Sequence, residues 1–137
     1  SDLEKVVGTL PATGSSAVTL TVDTIGFDYA SFSVLRGSNA STVFASVLKI
    51  EESDDNSTYT SVTGQVGGTD YTIPAVADTS ATSIVKLDVS TVSRKRYLKV
   101  TATPAVSVPV AVTGRLSRGE NAPTTAAEAG VLAWVKS

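Results

Sequence analysis

Apolar and polar residues alternate at residues 84–89, which read Ile-Val-Lys-Leu-Asp-Val. Successive side chains of an extended chain point to opposite faces. This stretch therefore directs Val85, Leu87 and Val89 to one face, and Lys86 and Asp88 to the other. The pattern predicts a β-strand with one face in a core and the other toward solvent.

The same two-residue period recurs on both sides of this stretch. Further strands are predicted at residues 17–22, 29–36, 43–50, 58–62, 71–73, 97–103 and 106–112, with turns or loops at 36–39, 51–57 and 64–69. Residues 43–50 are apolar on both faces, as in a central strand. Pro109 cannot donate a ladder hydrogen bond, so we expect its strand to lie at a sheet edge or to carry a bulge.

The composition favours the same fold class. Val, Thr, Ser and Ala make up more than half of the 137 residues, and the branched side chains of Val and Thr fit a pleated sheet better than a helix. About eight short strands separated by turns are typical of a sandwich or barrel. We predict an all-β protein, an antiparallel β-sandwich of immunoglobulin-like or jelly-roll type. Its body would span residues 17–118, with extended segments at 1–16 and 119–137.

Several classes of function are disfavoured by what the chain lacks. It has no His and no Cys, which excludes disulfides, cysteine–histidine zinc sites and Ser-His-Asp or Cys-His nucleophiles. A net charge of −2 provides no basic field for nucleic acid. No apolar run approaches the ~20 residues of a membrane-spanning helix. We therefore expect no enzyme activity, catalytic residue, cofactor, nucleic acid or membrane partner.

The densest charge cluster is Glu51-Glu52-Ser53-Asp54-Asp55-Asn56. A calcium loop of the EF-hand type needs acidic residues at alternate positions, a glycine and a distal glutamate, and that spacing is absent. Because predicted strands lie on both sides of the cluster, a solvated hairpin turn explains it, and we expect no metal.

Two segments are candidates for protein contacts. Arg94, Lys95, Arg96 and Tyr97 lie where a strand begins, either as a solvated start or as a contact with an acidic partner surface. The chain end is apolar and holds the single tryptophan; its candidate contact residues are Leu132, Trp134 and Val135. This segment would be either an arm that reaches a neighbouring molecule or the last strand of the sandwich.

Three blocks of sequence resemble, in the same order, those of small structural proteins of tailed phages. Residues 49–64 are similar to the family's ESDDGxTWxxVxG hairpin, residues 94–100 to its RKRYLRV strand, and residues 116–128 to its LSRxxxAPxTAAE ending. Asn56 replaces the usual Gly and Tyr59 the usual Trp. We expect the hairpin to survive both changes, whereas carbohydrate binding through that Trp becomes less favoured.

This resemblance implies a capsid decoration, or cement, protein on the outer surface of a bacteriophage virion. Such a structural protein binds the major capsid protein and clamps neighbouring capsid subunits through many modest contacts. Oligomers usually have closed symmetry, so we expect a homo-oligomer, either a dimer or a trimer. The alternatives are a carbohydrate-binding or adhesion module on a virion or cell surface, and a tail or head-completion protein.

Overall fold

The computed structural model describes residues 4–9, 12–91, 94–117 and 133–136, and these form strands, turns and loops. The strands are β1 (Glu4–Gly8), β2 (Ala12–Gly14), β3 (Val18–Asp23), β4 (Tyr29–Arg36), β5 (Val47–Ser53), β6 (Thr60–Val66), β7 (Ser83–Ser90), β8 (Tyr97–Thr103), β9 (Val108–Ser117) and β10 (Ala133–Lys136). Within these ranges there is no helix of the length and apolarity that a membrane crossing requires.

The strands form two sheets that pack face to face as a β-sandwich, which confirms the predicted fold class. The six-stranded sheet has the order β1-β9-β4-β7-β10, and β2 also pairs with β9. The four-stranded sheet has the order β3-β8-β5-β6. All described pairings between these strands are antiparallel except that of β10 with β7, which is parallel.

The core lies between the two sheets and follows the predicted alternation. The six-stranded sheet contributes fully or almost fully buried residues such as Phe32, Val34, Val85, Leu87, Val89 and Val112. The four-stranded sheet contributes Leu48, Ile50, Leu98, Val100 and Ala102. Burial of these side chains is the main favourable term for such a fold, at about 25 cal/mol per Å² of apolar surface.

Neither alternative predicted for Pro109 holds: β9 lies between β1 and β4 and is not an edge strand, and its pairings with β4 and β2 have no register shift at this residue. The last β4–β9 pair is Arg36 with Val110. One residue further along, the carbonyl of Pro109 accepts a hydrogen bond from the Gly37 amide at 2.8 Å. In an antiparallel strand the backbone nitrogen and carbonyl of one residue point to the same side. The nitrogen of Pro109, which has no hydrogen to donate, therefore faces the side of β9 where β4 has just ended.

Two charged residues are more buried than the sequence predicts. Asp88 was expected to face solvent, but it is only 1% exposed. Its carboxylate accepts a hydrogen bond from the Tyr29 hydroxyl. Its backbone carbonyl accepts one from the side-chain amide of Gln65, from Nε2 at 3.2 Å. Arg36 ends the predicted strand 29–36 and begins the predicted turn; it is the last inward-facing residue of β4 and is 0% exposed.

Two predicted boundaries also differ. Strand β5 begins at Val47, four residues later than predicted, and Val43 instead forms an isolated bridge with Ala75. The predicted loop at 64–69 overlaps β6, which continues to Val66. The β5–β6 register shifts between Lys49 and Glu51, and Gly64 has a φ of 86° in this irregular part of β6. Glycine adopts that left-handed conformation without steric penalty.

Both predicted terminal segments contribute strands to the six-stranded sheet. β1 and β2, within residues 1–16, pair with β9. β10, within residues 119–137, pairs with β7 from Ala133 opposite Val85 to Lys136 opposite Asp88. The chain between Ser117 and Ala133 lies outside the described residues.

Candidate functional site

Arg96 precedes β8 and is held to the end of β3 at several atoms. Its carbonyl accepts hydrogen bonds from the Thr24 amide at 3.0 Å and from the Thr24 hydroxyl at 2.6 Å. Its guanidinium donates two hydrogen bonds to the Asp23 carboxylate, from Nε to Oδ1 at 2.8 Å and from Nη2 to Oδ2 at 2.6 Å. Backbone and side chain are therefore both anchored.

The surroundings of Arg96 favour its charged form and leave part of the guanidinium exposed to solvent. The hydrogen bonds with Asp23 raise the pKa of Arg96 above its ordinary value. The side chain is still 46% exposed. Its Cζ lies 5.0 Å from the ring centroid of Tyr97, within the range of a cation–π contact. Arg96 thus presents a positioned cation to solvent.

Tyr59 forms a second aromatic–cation pair on the same sheet. Lys99 Nζ lies 4.2 Å from the ring centroid of Tyr59. The Tyr59 hydroxyl donates a hydrogen bond to Asn56 Oδ1, and burial of the hydroxyl raises the Tyr59 pKa. Lys99 also lies 3.9 Å from Glu51 Oε1, opposite it in the β5–β8 register. A partly exposed ion pair at that distance contributes little stability, so the ring contact is the more specific feature.

The β5–β6 turn that positions Tyr59 is organised by Asp55. Asp55 Oδ1 accepts hydrogen bonds from the Ser53 hydroxyl at 2.8 Å and from the amides of Ser57 and Thr58 at 2.9 Å each. These hydrogen bonds, that from Thr58 foremost, lower the pKa of Asp55 to about 2. Asn56 has a φ of 58°, a conformation that Asn tolerates better than most residues. The hairpin therefore forms with Asn at the position where the resembling family has Gly.

We call this surface the Tyr59–Tyr97 face. Its members are Asp23, Glu51, Tyr59, Arg96, Tyr97 and Lys99, on the outer side of the four-stranded sheet and its adjoining turns. Arginine and tyrosine are enriched in protein–protein interfaces. One side of each ring is occupied by a cation. The arrangement is suited to binding a polar protein surface.

The predicted contact residues Arg94 and Lys95 adjoin this face without belonging to it. The Lys95 amide donates a hydrogen bond to Glu52 Oε1 at 2.8 Å. The Arg94 amide bonds to the Thr91 carbonyl at 3.2 Å. Arg94 Nε is buried and has no hydrogen-bond partner within the part of the chain that the structure describes. Of the basic triplet, only Arg96 joins Tyr97 in the aromatic–cation arrangement.

The predicted contact residues of the chain end lie elsewhere. Trp134 and Val135 belong to β10, at an edge of the six-stranded sheet, where their backbone positions are opposite Lys86 and Leu87. Leu132 lies outside the described residues. The structure therefore assigns the two predicted contact segments to different sheets.

No sequence pattern predicts three members of the face, Asp23, Tyr59 and Lys99, as contact residues. Their positions depend on β8 pairing with both β3 and β5, which no local pattern reveals. One signal for Tyr59 was present, because it occupies the aromatic position of the hairpin block. The acidic cluster brings no metal ligands together: among the described residues there is no group of three acidic side chains placed to hold a metal ion.

Comparisons with known proteins add one distant likeness. No family model matches the chain, and no curated protein matches it. A solved structure described as "Bacillus endospore appendages form a novel family of disulfide-linked pili" is similar to this chain, with 14% sequence identity and a TM-score of 0.40. The match covers 85% of this chain and 88% of the other. A likeness at that level establishes nothing about function.

Proposed function

We propose that this chain is a non-enzymatic structural protein of a phage virion, a cement protein that binds the assembled capsid. It would lie on the outer capsid surface, bind the major capsid protein and stabilise contacts between neighbouring subunits. The resemblance of residues 49–128 to decoration proteins is one support. The Tyr59–Tyr97 face is the other.

A single structural observation carries the proposal. Two of the three resembling sequence blocks, the hairpin at 49–64 and the strand at 94–100, meet on the Tyr59–Tyr97 face. Ser53 is opposite Tyr97 in the β5–β8 register, and Glu51 is opposite Lys99. Parts of two of the three blocks thus share one surface, as residues that contact a common partner would.

The face has physical properties that favour binding. Arg96 is fixed by Asp23 and Thr24, and Tyr59 by the Asp55 turn. Groups that are already ordered lose little conformational entropy when a partner binds. A clamp of this kind needs no catalytic group, since it acts by burying area on two neighbouring subunits at once.

The test is co-sedimentation of the purified chain with mature capsids from which it has been stripped. We expect saturable binding at a fixed ratio to the major capsid protein. Arg96→Ala and Tyr97→Ala should each weaken binding by about tenfold or more, as for anchor residues of an interface. Arg115→Ala is the matched control, because Arg115 is exposed on the outer side of the opposite sheet.

Two outcomes would contradict the proposal. One is the absence of saturable capsid binding while the chain remains folded. The other is saturable binding of a glycan without capsid binding, which would identify a carbohydrate-binding or adhesion module. A glycan panel run in parallel separates these cases.

The proposed homo-oligomer, a dimer or trimer, is tested at the chain end. Trp134 and Val135 lie in β10, which pairs with β7 of the same chain. Deletion of residues 130–137 should lower the oligomer mass in sedimentation velocity if Leu132, Trp134 and Val135 also contact a neighbouring molecule. An unchanged mass together with unchanged capsid binding would show that this segment is not an intermolecular arm.

A further inference from the structure

Strand β3 forms one edge of the four-stranded sheet, and among the described strands it pairs with β8 alone. This pairing runs over all six residues of β3 without a register shift. Thr19 and Thr21, whose side chains lie on the outer side of the sheet, are exposed. β3 therefore has a regular, extended edge that faces away from β8.

The hydrogen bond just beyond β3 shows which backbone groups point to this edge. The Thr24 amide donates to the Arg96 carbonyl at 3.0 Å, which continues the β3–β8 register by one pair. In an antiparallel ladder, hydrogen-bonded pairs alternate with pairs whose amides and carbonyls point away from each other. Counting back from Thr24, the even-numbered residues of β3 bond to β8. The amides and carbonyls of Thr19 and Thr21 therefore point to the open edge.

The other described edges carry features that oppose pairing with a further strand. β1 begins with two charged residues, and β2 and β10 have only three and four residues. The β5–β6 register is irregular, and the Gly64 and Val66 amides of β6 donate to the Asp70 carboxylate at 3.1 and 3.0 Å. Charges, short strands and bulges are devices that prevent edge-to-edge association. Residues 18–22 of β3 contain no charge and no proline, so this edge lacks such protection.

We propose that β3 pairs with β3 of a second copy of this chain, so that the two four-stranded sheets join into one continuous sheet. The pairing is antiparallel and two-fold symmetric, with the axis at Leu20. Thr19 of each copy is then opposite Thr21 of the other, and the open amides and carbonyls of both residues meet a partner. The same surface serves both copies, as in most dimers.

In this register the strand is complementary to itself. On the outer side threonine is opposite threonine, which is a favourable cross-strand pair. On the inner side Leu20 is opposite Leu20 of the second copy and Val18 is opposite Val22, so the apolar layer continues from one core to the next. Like charges do not oppose each other, because the single charged residue of β3, Asp23, lies at its end and is bonded to Arg96.

The chain end is not part of this interface. β3 lies against β9 on one side of the sandwich, whereas β10 lies beside β7 and against β6 on the other side. Deletion of residues 130–137 therefore tests a different contact from the one proposed for β3.

The symmetry has a consequence for the Tyr59–Tyr97 face, and this part of the inference rests on the proposed function. The two-fold axis is perpendicular to the joined sheet, so the faces of both copies point to the same side. The two β8 strands would be separated by three strand spacings, about 14 Å. A dimer of this kind presents two equivalent faces to one surface, as a clamp on neighbouring capsid subunits requires.

The test is sedimentation velocity of the full chain over a range of concentrations. We expect a concentration-dependent increase in mass that levels off at twice the monomer mass. The double variant Thr19→Lys, Thr21→Lys places like charges opposite each other and should weaken dimerisation about tenfold or more. The double variant Thr19→Lys, Thr21→Glu places opposite charges at the same positions and should dimerise as tightly as the wild type.

The matched control is the double variant Thr60→Lys, Thr63→Lys, which adds the same charge at two exposed threonines of the other edge strand, β6. It should dimerise like the wild type. Circular dichroism of each variant verifies that the fold is retained. A wild type that is monomeric at every concentration would overturn the proposal. So would equal dimerisation of the β3 and β6 double-lysine variants, or equal weakening by the lysine–lysine and lysine–glutamate pairs at β3.

Co-sedimentation with capsids separates this inference from the cement proposal. Saturable capsid binding by a wild type that stays monomeric would overturn the β3 pairing and leave the cement proposal intact. A dimer that the β3 lysines dissociate, but that binds no capsid, would support the β3 pairing and contradict the cement proposal.

Discussion

Gly114 on β9 and Phe32 on β4 are directly opposed, and the phenylalanine ring lies in the space where a side chain of residue 114 would be. A methyl group at Gly114 would lie 3.0 Å from Cδ1 and from Cε1 of Phe32, and 3.2 Å from Cγ2 of Val7. Phe32 is fully buried. The absence of a side chain at Gly114 is therefore what lets this ring fill the centre of the six-stranded sheet.

Replacing Gly114 with alanine should destabilise the protein. The added methyl group overpacks a close-packed core, and we expect a loss of about 1–3 kcal/mol in the free energy of unfolding. Urea unfolding at neutral pH measures it.

Two comparisons separate overpacking from a backbone effect. Gly8→Ala is the matched control, because its new methyl group would meet no atom closer than 3.5 Å. In a Phe32→Leu background, Gly114→Ala should cost less, since the ring atoms are gone. An equal loss in both backgrounds would refute the proposed clash.

Asp55 should make stability depend on pH in the acidic range. Its pKa is lowered from 3.8 to about 2 by hydrogen bonds from Thr58, Ser53 and Ser57. A lowered pKa in the folded state means that the stabilisation is fully present above pH 4 and is lost as the pH falls toward 2. Asp55→Ala should thus lower Tm at neutral pH, and its difference from the wild type should narrow between pH 4 and pH 2.

Asp54→Ala is the matched control for this series, because Asp54 is an exposed neighbour that makes none of the hydrogen bonds of the turn. Thermal unfolding is followed at each pH for all three proteins. A Tm difference between Asp55→Ala and wild type that stays constant down to pH 2 would contradict the assignment.

Arg36 should be replaceable by a hydrophobic residue of similar length. Its Nη2 donates a hydrogen bond to the Ser41 carbonyl at 2.7 Å, but Nε and Nη1 are buried and have no hydrogen-bond partner among the described residues. Removing a buried charge that is poorly compensated is often neutral or stabilising. We expect Arg36→Met either to leave the free energy of unfolding unchanged or to raise it by up to about 3 kcal/mol.

Urea unfolding of Arg36→Met provides the measurement. The exposed Arg115→Met, on the same sheet, controls for the general effect of losing one positive charge and should stay within about 0.5 kcal/mol of wild type. A loss above about 3 kcal/mol in Arg36→Met would mean that a charged partner of Arg36 had been left behind.

Tyr71 should make stability fall at alkaline pH. Burial, with the nearby charge of Asp70, raises its pKa well above the ordinary value of 10, and its hydroxyl donates a hydrogen bond to the Leu48 carbonyl at 3.0 Å. The unfolded chain loses this proton first, so the stabilisation is present below pH 10 and is lost as the pH rises above it.

Tyr71→Phe tests this directly. Because this variant lacks the hydrogen bond to Leu48, its free energy of unfolding should be about 1 kcal/mol lower at neutral pH. Above pH 10 its stability should fall less steeply than that of wild type. Urea midpoints between neutral pH and alkaline pH measure both effects. Parallel curves for the two proteins would contradict the role of Tyr71.

Much of the fold was predictable because strand formation leaves a local signature. The alternation at Val85, Leu87 and Val89, and again at Leu98 and Val100, correctly predicted which side chains enter the core. Each residue's face follows from its own position in an extended chain. No knowledge of the neighbouring strand is needed.

The errors arose where the identity of the neighbouring strand matters. Pro109 is tolerated inside the sheet because β4 ends beside it, and Asp88 is buried because Tyr29 adjoins it. Arg36 is buried although its sequence context reads as a turn. In each case the deciding group lies far away along the chain.

By itself, the sequence determined that this is an all-β sandwich without the residues of thiol or imidazole chemistry, and it drew attention to Arg96 and Tyr97. Only the tertiary structure decided which distant residues join them, because β8 lies between β3 and β5 and so brings Asp23 and Tyr59 to one surface. Periodicity is encoded within a few neighbouring residues, whereas strand order results from the packing of the whole core. A surface assembled from several strands therefore exists only once the sheets have formed.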